Sequence, residues 1–286
     1  MPQRTDLAQE AWQLWKKDAG ETTELSGVRA EERTLFGQQT TLVEILSEKG
    51  ASALCKPIGR YATLSLDSCF AREPEAIKNT CLAAAELIRS LAGPPADAPV
   101  LVAGLGNRSM TPDSIGPKTA DSVLATRHLA GTEGIPKGYF SPVAVMQPGV
   151  LGTSGLESAE AVEALVKQLH PRLVIAVDAL AAAEPDRLCR TLQVTDTGIS
   201  PGSGVGNRRS TLDKASLGVP VIAVGVPTVI DASVFCSGEA NAYSGMMVTP
   251  KDIDLEVRET AKVAAMGINL ALHPNLTYEE AELLLL

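Results

Sequence analysis

The sequence predicts an α/β fold in which a three-layer α/β/α arrangement surrounds a mostly parallel sheet, with a small β addition near the amino terminus. Strand-like and helix-like segments alternate over residues 96–272, as they do in βαβ units. Residues 173–177 are nearly continuous in β-branched side chains, which is typical of a strand buried on both faces. Residues 21–66 contain alternating stretches between glycines, which favours an antiparallel addition. We expect residues 1–286 to form one domain.

The first third of the chain is predicted to hold two helices and three strands. In chain order they are a helix over residues 5–17, strands over 28–34, 39–46 and 60–66, and a helix over 73–91. The first helix has Thr5 as its N-cap and apolar side chains at helical spacing. The second is amphipathic and ends at Gly93-Pro94-Pro95, because glycine and proline terminate helices.

The rest of the chain is predicted to alternate between buried strands and helices. Strands are expected over residues 100–103, 139–145, 173–177, 190–195 and 219–224, and helices over 114–129 and 157–169. A last helix is predicted to begin at Thr249-Pro250, with the threonine as N-cap and the proline in the first turn. This order favours a single sheet that is covered by helices.

The composition excludes several classes of protein. A net charge of −9 argues against direct nucleic-acid binding, because such proteins usually carry a basic patch. No apolar run reaches the roughly 18 residues of a membrane span, and the amino terminus lacks the apolar core of a signal peptide. The five cysteines are an odd number without CxxC spacing, which favours a reducing cytoplasm over a disulfide framework or a zinc knuckle.

Two aspartates each follow an apolar, strand-like run and are the main candidates for chemistry. Asp113 follows the turn after residues 100–103, and Asp178 follows residues 173–177. Residues just past the carboxyl ends of parallel strands line a ligand crevice, so the two side chains are expected to face each other there. When two carboxylates share one site, the pKa of one rises and the pKa of the other falls, so the pair supplies an acid and a base. Such a pair allows hydrolysis by water without a metal or an activated serine.

Simpler roles for both aspartates stay open at this point. Asp113 could have no role beyond N-capping the helix that follows it, and Asp178 could be a surface residue that ends a strand. Against this, Asp113 is flanked by prolines, which restrict the backbone conformation, and by a glycine, which widens it: Pro112 lies before it and Gly116-Pro117 after it. Asp178 emerges from apolar neighbours, so desolvation is expected to raise its pKa.

Two glycine-rich turns are the next candidates. Gly104-Leu105-Gly106-Asn107 begins like a dinucleotide-binding turn, but Ser109 stands where the third glycine is needed, so a simple tight turn is favoured. Residues 197–209 contain four glycines and two arginines without the ending of a P-loop. This loop could form an anion-binding concavity, close over an extended peptide, or be an irregular surface turn.

Other kinds of site have little support in the sequence. Glu157 stands at the start of a predicted helix, where stabilisation by the helix dipole explains it. None of the three histidines, His128, His170 and His273, lies in an acidic turn. A histidine-rich metal site and a Ser-His-Asp triad are therefore both unsupported, and we expect neither a metal nor a cofactor.

Several motifs run in one order through nearly the whole chain. They lie at residues 4–11, 59–61, 104–107, 111–113, 116–117, 148–152 with Gly155 and Glu157, 178–182, 196–199, 201–207 and 218–229. In this order they resemble the germination protease family of spore-forming bacteria. The resemblance implies an endopeptidase, made as a zymogen and assembled as a homotetramer in the cytoplasm (spore core), that degrades small acid-soluble spore proteins during germination.

The resemblance also implies site residues. The proposed catalytic acids of the family match Asp113 and Asp178, the two residues already chosen, in a fold like that of the hydrogenase maturation peptidases. One aspartate would be ionised and activate water, while the other would be protonated; the sequence leaves open which is which. We expect substrate contacts from the residues of the two glycine-rich turns, Gly106, Asn107, Gly202, Ser203, Gly204, Gly206 and Asn207.

The amino terminus carries a candidate processing site. Residues 5–10 resemble the pattern of an acidic residue, an apolar residue and alanine at which this family cuts its substrates. We therefore expect self-cleavage between Asp6 and Leu7, favoured by mild acid, with residues 1–6 as a short propeptide. The alternative is an ordinary helix start. Compared with the family, the leader before Arg4 is short, and so is the stretch between Asp231 and Val248, which bears on the cleft or the assembly.

Two rival functions stay open. A metal-dependent peptidase of the hydrogenase maturation type predicts a histidine in the cleft. A peptide-binding relative that has lost activity predicts binding without cleavage.

Overall fold

A mixed β-sheet forms the centre of the molecule. The computed structural model describes residues 5–20, 25–71, 74–94, 97–129, 132–202, 210–235, 243 and 245–285. The strands in this part of the chain are β1 (Val28–Leu35), β2 (Gln38–Ile45), β3 (Gly59–Ser65), β4 (Val100–Gly104), β5 (Val143–Met146), β6 (Leu173–Ala182), β7 (Thr191–Thr195), β8 (Val221–Asp231) and β9 (Met247–Val248). Their order in the sheet is β1-β2-β3-β7-β8-β6-β4-β5, and β9 pairs with the end of β8.

The sheet has a parallel half and an antiparallel half. Strands β8, β6, β4 and β5 are parallel neighbours. Strands β1, β2, β3 and β7 are joined in antiparallel pairs, and β7 pairs antiparallel with β8. The small β addition predicted near the amino terminus is thus present as β1–β3 and joins the main sheet through β7. The predicted α/β fold is confirmed.

Helices cover both faces of the sheet. They are α1 (Ala8–Ala19), α2 (Glu48–Leu54), α3 (Pro74–Ala92), α4 (Ile115–Asp121), α5 (Leu151–Ser154), α6 (Ser158–Leu169), α7 (Lys214–Leu217), α8 (Ile253–Leu272) and α9 (Tyr278–Leu284). Single 3₁₀ turns lie at Asp67–Ala71, Thr111–Asp113, Arg127–Leu129, Pro185–Arg187 and Ala232–Phe235. Helices α3 and α8 pack on one face, where Gly267 of α8 lets the two approach closely: a Cβ there would lie 2.8 Å from Ala84 Cβ.

Alternate residues of the central strands enter separate cores. Val102 and Ile175 belong to the core under α3 and α8. Leu101 and Val174, their chain neighbours, pack on the opposite face with Val162 of α6. Helices α1 and α2 continue this second layer over β2 and β3. Because side chains of a strand point alternately to its two faces, one nearly continuous apolar run supplies both cores.

Several predicted boundaries in the middle of the chain are wrong: β5 begins at Val143 and not at residue 139, and β8 runs to Asp231 and not to residue 224. Strand β6 does not stop at Val177 but runs to Ala182, because the apolar side chains continue beyond Asp178. The helix predicted over 114–129 ends at Asp121. Beyond it, the backbone finds partners elsewhere: the Leu124 N–H donates to Asn269 Oδ1 of α8 at 2.9 Å. Tertiary hydrogen bonds thus replace helical ones.

Both predicted threonine caps are also wrong. Helix α1 begins at Ala8, and the Thr5 hydroxyl accepts from the Leu7 N–H at 2.9 Å instead of capping the helix. Helix α8 begins at Ile253, not at Thr249-Pro250. The Thr249 hydroxyl donates to the Thr228 carbonyl at 2.9 Å, so it binds strand β8 instead of capping α8. In each case a contact distant in sequence outweighs the local preference.

Candidate active site

A cleft of about 1680 Å³ lies beyond the carboxyl end of β4 and beside the second half of β6. Its wall combines residues from the amino-terminal segment, the end of α2, the turn after β4, and strands β6, β7 and β8. Asp113 and Asp178 both line it. The structure therefore brings the two candidate acids to one wall, as expected for residues at the carboxyl edge of parallel strands. Their catalytic role stays a prediction.

Asp113 is held by the turn in which it lies. Its Oδ2 accepts the Asn107 N–H at 2.8 Å, and its own N–H donates to the Met110 carbonyl at 2.9 Å. Gly106 has φ of +105°, and a Cβ there would lie 2.1 Å from the Asp113 carbonyl oxygen. Only glycine fits that position, so Gly106 is needed to form the turn and not merely to leave the strand.

The Asp113 turn is packed tightly against β6. The Leu105 N–H donates to the Val177 carbonyl at 2.8 Å, one residue before Asp178. Gly116 lies against the same carbonyl: a Cβ there would be 2.4 Å from Val177 O and 2.1 Å from Leu105 O. The chain thus enters and leaves this turn in direct contact with the strand that carries the second aspartate.

Asp178 lies inside β6 and is 4% exposed. Its Oδ1 accepts the Ala179 N–H at 2.9 Å. Across the sheet it pairs in register with Gly225 of β8, where a Cβ would come within 2.5 Å of the Leu180 side chain. The carboxylate is therefore set in the middle of a buried strand and not at a flexible strand end.

The amino-terminal segment forms part of the wall of the same cleft. Thr5 and Asp6 line it, and Leu7 is 1% exposed. The Asp6 N–H donates to the Ala181 carbonyl, and the Ala181 N–H donates to Asp6 Oδ2, both at 2.9 Å. Gln193 of β7 donates through Nε2 to the Asp6 carbonyl at 3.1 Å and accepts the Ala8 N–H at 2.8 Å. The predicted processing site Asp6–Leu7 is thus hydrogen-bonded on both sides.

The Glu10 carboxylate links this segment to the residues after β6. Its buried carboxylate accepts the N–H groups of Ala183 and Glu184, each at 2.9 Å, and the Thr5 hydroxyl. Burial raises the pKa of the Glu10 carboxyl, although these hydrogen bonds act in the opposite direction. Lys56 Nζ donates to the Thr5 carbonyl at 2.8 Å. The start of α1 is therefore tied to the end of β6 and to the residues after α2.

The predicted substrate-binding residues are only partly described. Gly106 and Asn107 form the turn around Asp113, and Gly202 lines the cleft. Ser203, Gly204, Gly206 and Asn207 lie outside the described residues. The base of their loop is closed by a β-bridge between Ile199 and Leu212, and both main-chain hydrogen bonds of the bridge are present. The loop therefore starts and ends beside the cleft, since Ile199 and Thr211 line it.

The histidines and the acidic residue Glu157 lie apart from this site. The cleft residues that the structure describes include no histidine. His273 is buried near Phe140, and burial lowers its pKa to about 4. The Glu157 N–H donates to Glu160 Oε2 at 2.9 Å at the start of α6. Over the described ranges, no three His, Cys, Asp or Glu side chains are grouped where they could hold a metal ion.

Sequence reasoning missed Gln193 and Lys56. The available signal for Gln193 was a polar residue in an otherwise β-branched and apolar strand, Thr191–Thr195. Lys56 follows a short helix and carried no motif.

In the described part of the chain, no helix combines the length and apolar character needed to span a membrane.

Comparison with known proteins gives one consistent family. A family model described as germination protease matches residues 6–244. The germination protease of Caldanaerobacter subterraneus subsp. tengcongensis is 39% identical over 321 aligned positions, which cover 99% of this chain and 98% of that protein. Germination proteases of Clostridium perfringens and Priestia megaterium are 37% and 35% identical, and each alignment covers at least 95% of both chains. The chain therefore belongs to the germination protease family and is a peptidase.

Proposed function

We propose that this protein is an endopeptidase of the spore core that hydrolyses small acid-soluble spore proteins during germination, with Asp113, Asp178 and a water molecule as the reacting groups. The observation that carries the proposal is that both carboxylates line one cleft in a member of a peptidase family. A cleft of about 1680 Å³ exceeds the roughly 300–1,000 Å³ of a small-molecule pocket, which suits an extended peptide.

The reaction needs the two aspartates in different protonation states. The ionised carboxylate takes a proton from water as the water oxygen attacks the scissile carbonyl carbon. The protonated carboxyl donates a hydrogen bond to the carbonyl oxygen, and its proton passes to the leaving amine as the C–N bond breaks. The pair titrates as a unit, so a bell-shaped dependence of kcat/KM on pH is expected.

Substrate contacts are assigned to the two glycine-rich turns. Gly106 and Asn107 border Asp113, and Gly202 lines the same cleft. Ser203, Gly204, Gly206 and Asn207 complete this assignment. Glycine-rich backbone leaves N–H groups accessible for hydrogen bonds with an extended peptide.

Self-cleavage at Asp6–Leu7 is a second part of the proposal. It is supported by the position of Thr5 and Asp6 in the cleft that holds both acids. The hydrogen bonds from Gln193 and Ala181 must open first, because they hold the segment on both sides of that peptide bond. Mild acid favours the reaction by protonating one member of the pair.

Assembly as a homotetramer is a third part. It is supported by several large apolar side chains that are about half exposed in the single chain: Phe36, Leu151, Leu156, Phe235 and Met246. Light scattering at micromolar concentration tests it, and a particle of one chain's mass would refute it.

One experiment separates the proposed reaction from its rivals. Purified full-length protein is incubated with a small acid-soluble spore protein, with and without a chelator, and the fragments are identified by mass spectrometry. Cleavage that is insensitive to chelator and lost in Asp113→Asn and Asp178→Asn supports the proposal. Cleavage abolished by chelator would indicate a metal-dependent peptidase, and binding without cleavage would indicate an inactive relative.

A further inference from the structure

Strand β8 contains an irregularity beside the candidate active site. Its pairing with β6 is regular from Val221 to Pro227, which lies opposite Leu180, but the next residue of β6, Ala181, pairs with Val229. Thr228 is therefore an extra residue in β8, a β-bulge. Bulges are rare between parallel strands, and where they occur next to active sites they redirect a side chain.

The bulge directs the Thr228 hydroxyl to the Asp113 turn. Thr228 Oγ1 donates to the Pro112 carbonyl at 2.6 Å, and Thr228 borders the cleft but is fully buried. The Pro112 carbonyl belongs to the peptide group whose nitrogen is that of Asp113, so this hydrogen bond fixes the plane from which the Asp113 side chain projects. On the other side, the Thr228 carbonyl accepts the Thr249 hydroxyl at 2.9 Å.

Strand β8 is thereby connected to both aspartates. Gly225 pairs in register with Asp178, and three residues later Thr228 holds the peptide group before Asp113. The contacts of Leu105 and Gly116 with Val177 fix only the two ends of the Asp113 turn. We propose that Thr228 is a positioning residue, which sets the Asp113 carboxylate relative to Asp178 through the Pro112 carbonyl and does not contact the substrate.

This proposal rests on the proposed aspartate mechanism and has its own test. Thr228→Val removes the hydroxyl at nearly constant volume, and Thr228→Ser retains it. Catalysis by two groups depends steeply on their relative position, so we expect Thr228→Val to lower kcat by roughly 10- to 100-fold and to leave KM within about 2-fold. Thr228→Ser should keep kcat within about 3-fold. The pH profile of kcat/KM should shift in Thr228→Val only, because the coupling between the two carboxylates changes.

Thr126→Val is the matched control. Thr126 is also buried, and its hydroxyl donates to the Ser141 carbonyl at 2.6 Å, but it does not line the cleft. It should lower thermal stability at least as much as Thr228→Val without changing kcat. Should Thr228→Val not fold, Thr228→Ala removes the same hydroxyl without placing a methyl group against the Pro112 carbonyl.

Three outcomes would overturn the positioning role: normal kcat in the folded Thr228 variants, equal losses of kcat in Thr228→Val and Thr126→Val, or no rescue by Thr228→Ser. Asp113→Asn and Asp178→Asn are measured in the same assay. If they are inactive while Thr228→Val is normal, only the positioning role fails. If they are active, the aspartate mechanism itself fails.

Discussion

Gln193 and Asp178 lie on the same face of the sheet, because each pairs in register with Gly225, from β7 and β6 respectively. Two strand spacings, roughly 10 Å, therefore separate their Cα atoms. Gln193 holds the main chain of the amino-terminal segment on both sides of Leu7. The segment is thus fixed near one candidate acid by a neighbouring strand, and its peptide bonds are protected as long as those hydrogen bonds persist.

The first prediction concerns the two aspartates. Asp113→Asn and Asp178→Asn should each lower kcat by at least about 10³-fold, because an amide cannot take part in the proton cycle. Thermal unfolding should change little, since the amide has the same shape as the carboxyl group. Steady-state cleavage of a spore-protein peptide measures the loss. Asp18→Asn is the control within the same cleft and should be near normal; substantial turnover by either test variant contradicts the mechanism.

A second prediction concerns the contact between Gly116 and β6. Gly116→Ala places a Cβ 2.1 Å from the Leu105 carbonyl oxygen, so the Asp113 turn must move away from Val177. We expect the free energy of unfolding to fall by about 1–3 kcal/mol. We also expect kcat to fall by a larger fraction of its wild-type value than the free energy of unfolding does. Urea unfolding and peptide cleavage give the two values. Gly152→Ala is the control, because a Cβ there would meet no atom within 4 Å apart from its chain neighbours and its own helix backbone; unchanged activity in Gly116→Ala would refute the tight packing.

The buried His273 predicts a loss of stability in acid. Its folded-state pKa is about 4 against an ordinary value of 6.5, because burial disfavours the charged ring and outweighs an interaction with the Leu124 backbone that acts in the opposite direction. Between these values the unfolded chain binds more protons, so its population rises as pH falls. The contribution of neutral His273 to the free energy of unfolding amounts to about 3 kcal/mol. It is fully present above pH 6.5 and is lost as the pH falls towards 4.

His273→Leu should remove this contribution and flatten the dependence of unfolding free energy on pH between 6.5 and 4. Denaturant unfolding at several pH values measures the slope, with His128→Asn, an exposed histidine, as control. An identical slope in wild type and His273→Leu would show that another group controls acid unfolding.

The amino-terminal segment that lines the cleft gives a fourth prediction. Incubation at mildly acidic pH should produce a new terminus at Leu7, because in the proposed mechanism protonation of one of the two aspartates prepares the pair to cut the Asp6–Leu7 bond. Glu10→Ala should accelerate the reaction, since it removes the acceptor of the Ala183 and Glu184 N–H groups and of the Thr5 hydroxyl. Amino-terminal sequencing over time measures both.

Asp113→Asn is the control for this reaction, because a self-processing enzyme without its acid should keep its original terminus. A preparation that degrades substrate completely while retaining Met1 or Pro2 would show that processing is unnecessary.

The Asp113 turn could be predicted from the sequence because the residues that shape it, Gly106, Pro112 and Gly116, are close together in the chain. Asp178 was identified as an acid beside a buried strand but placed at the strand's end. A local pattern does not show that β6 continues, since that depends on its pairing with β8. Gln193 and Thr228 were missed for a related reason: their partners, Asp6 and Pro112, lie 187 and 116 positions away.

The position of β6 between β4 and β8 has a consequence for how the two acids respond to perturbation. Strand β6 pairs with β4 up to Val177 and with β8 as far as Ala182, so Asp178 lies in a central strand and its amide is expected to exchange its hydrogen slowly. Asp113 lies in a one-turn 3₁₀ segment outside the strands, and its position depends on the contacts of this turn with Val177 and Thr228. We therefore expect the separation of the two carboxylates to change more readily through movement of the Asp113 turn than through movement of Asp178.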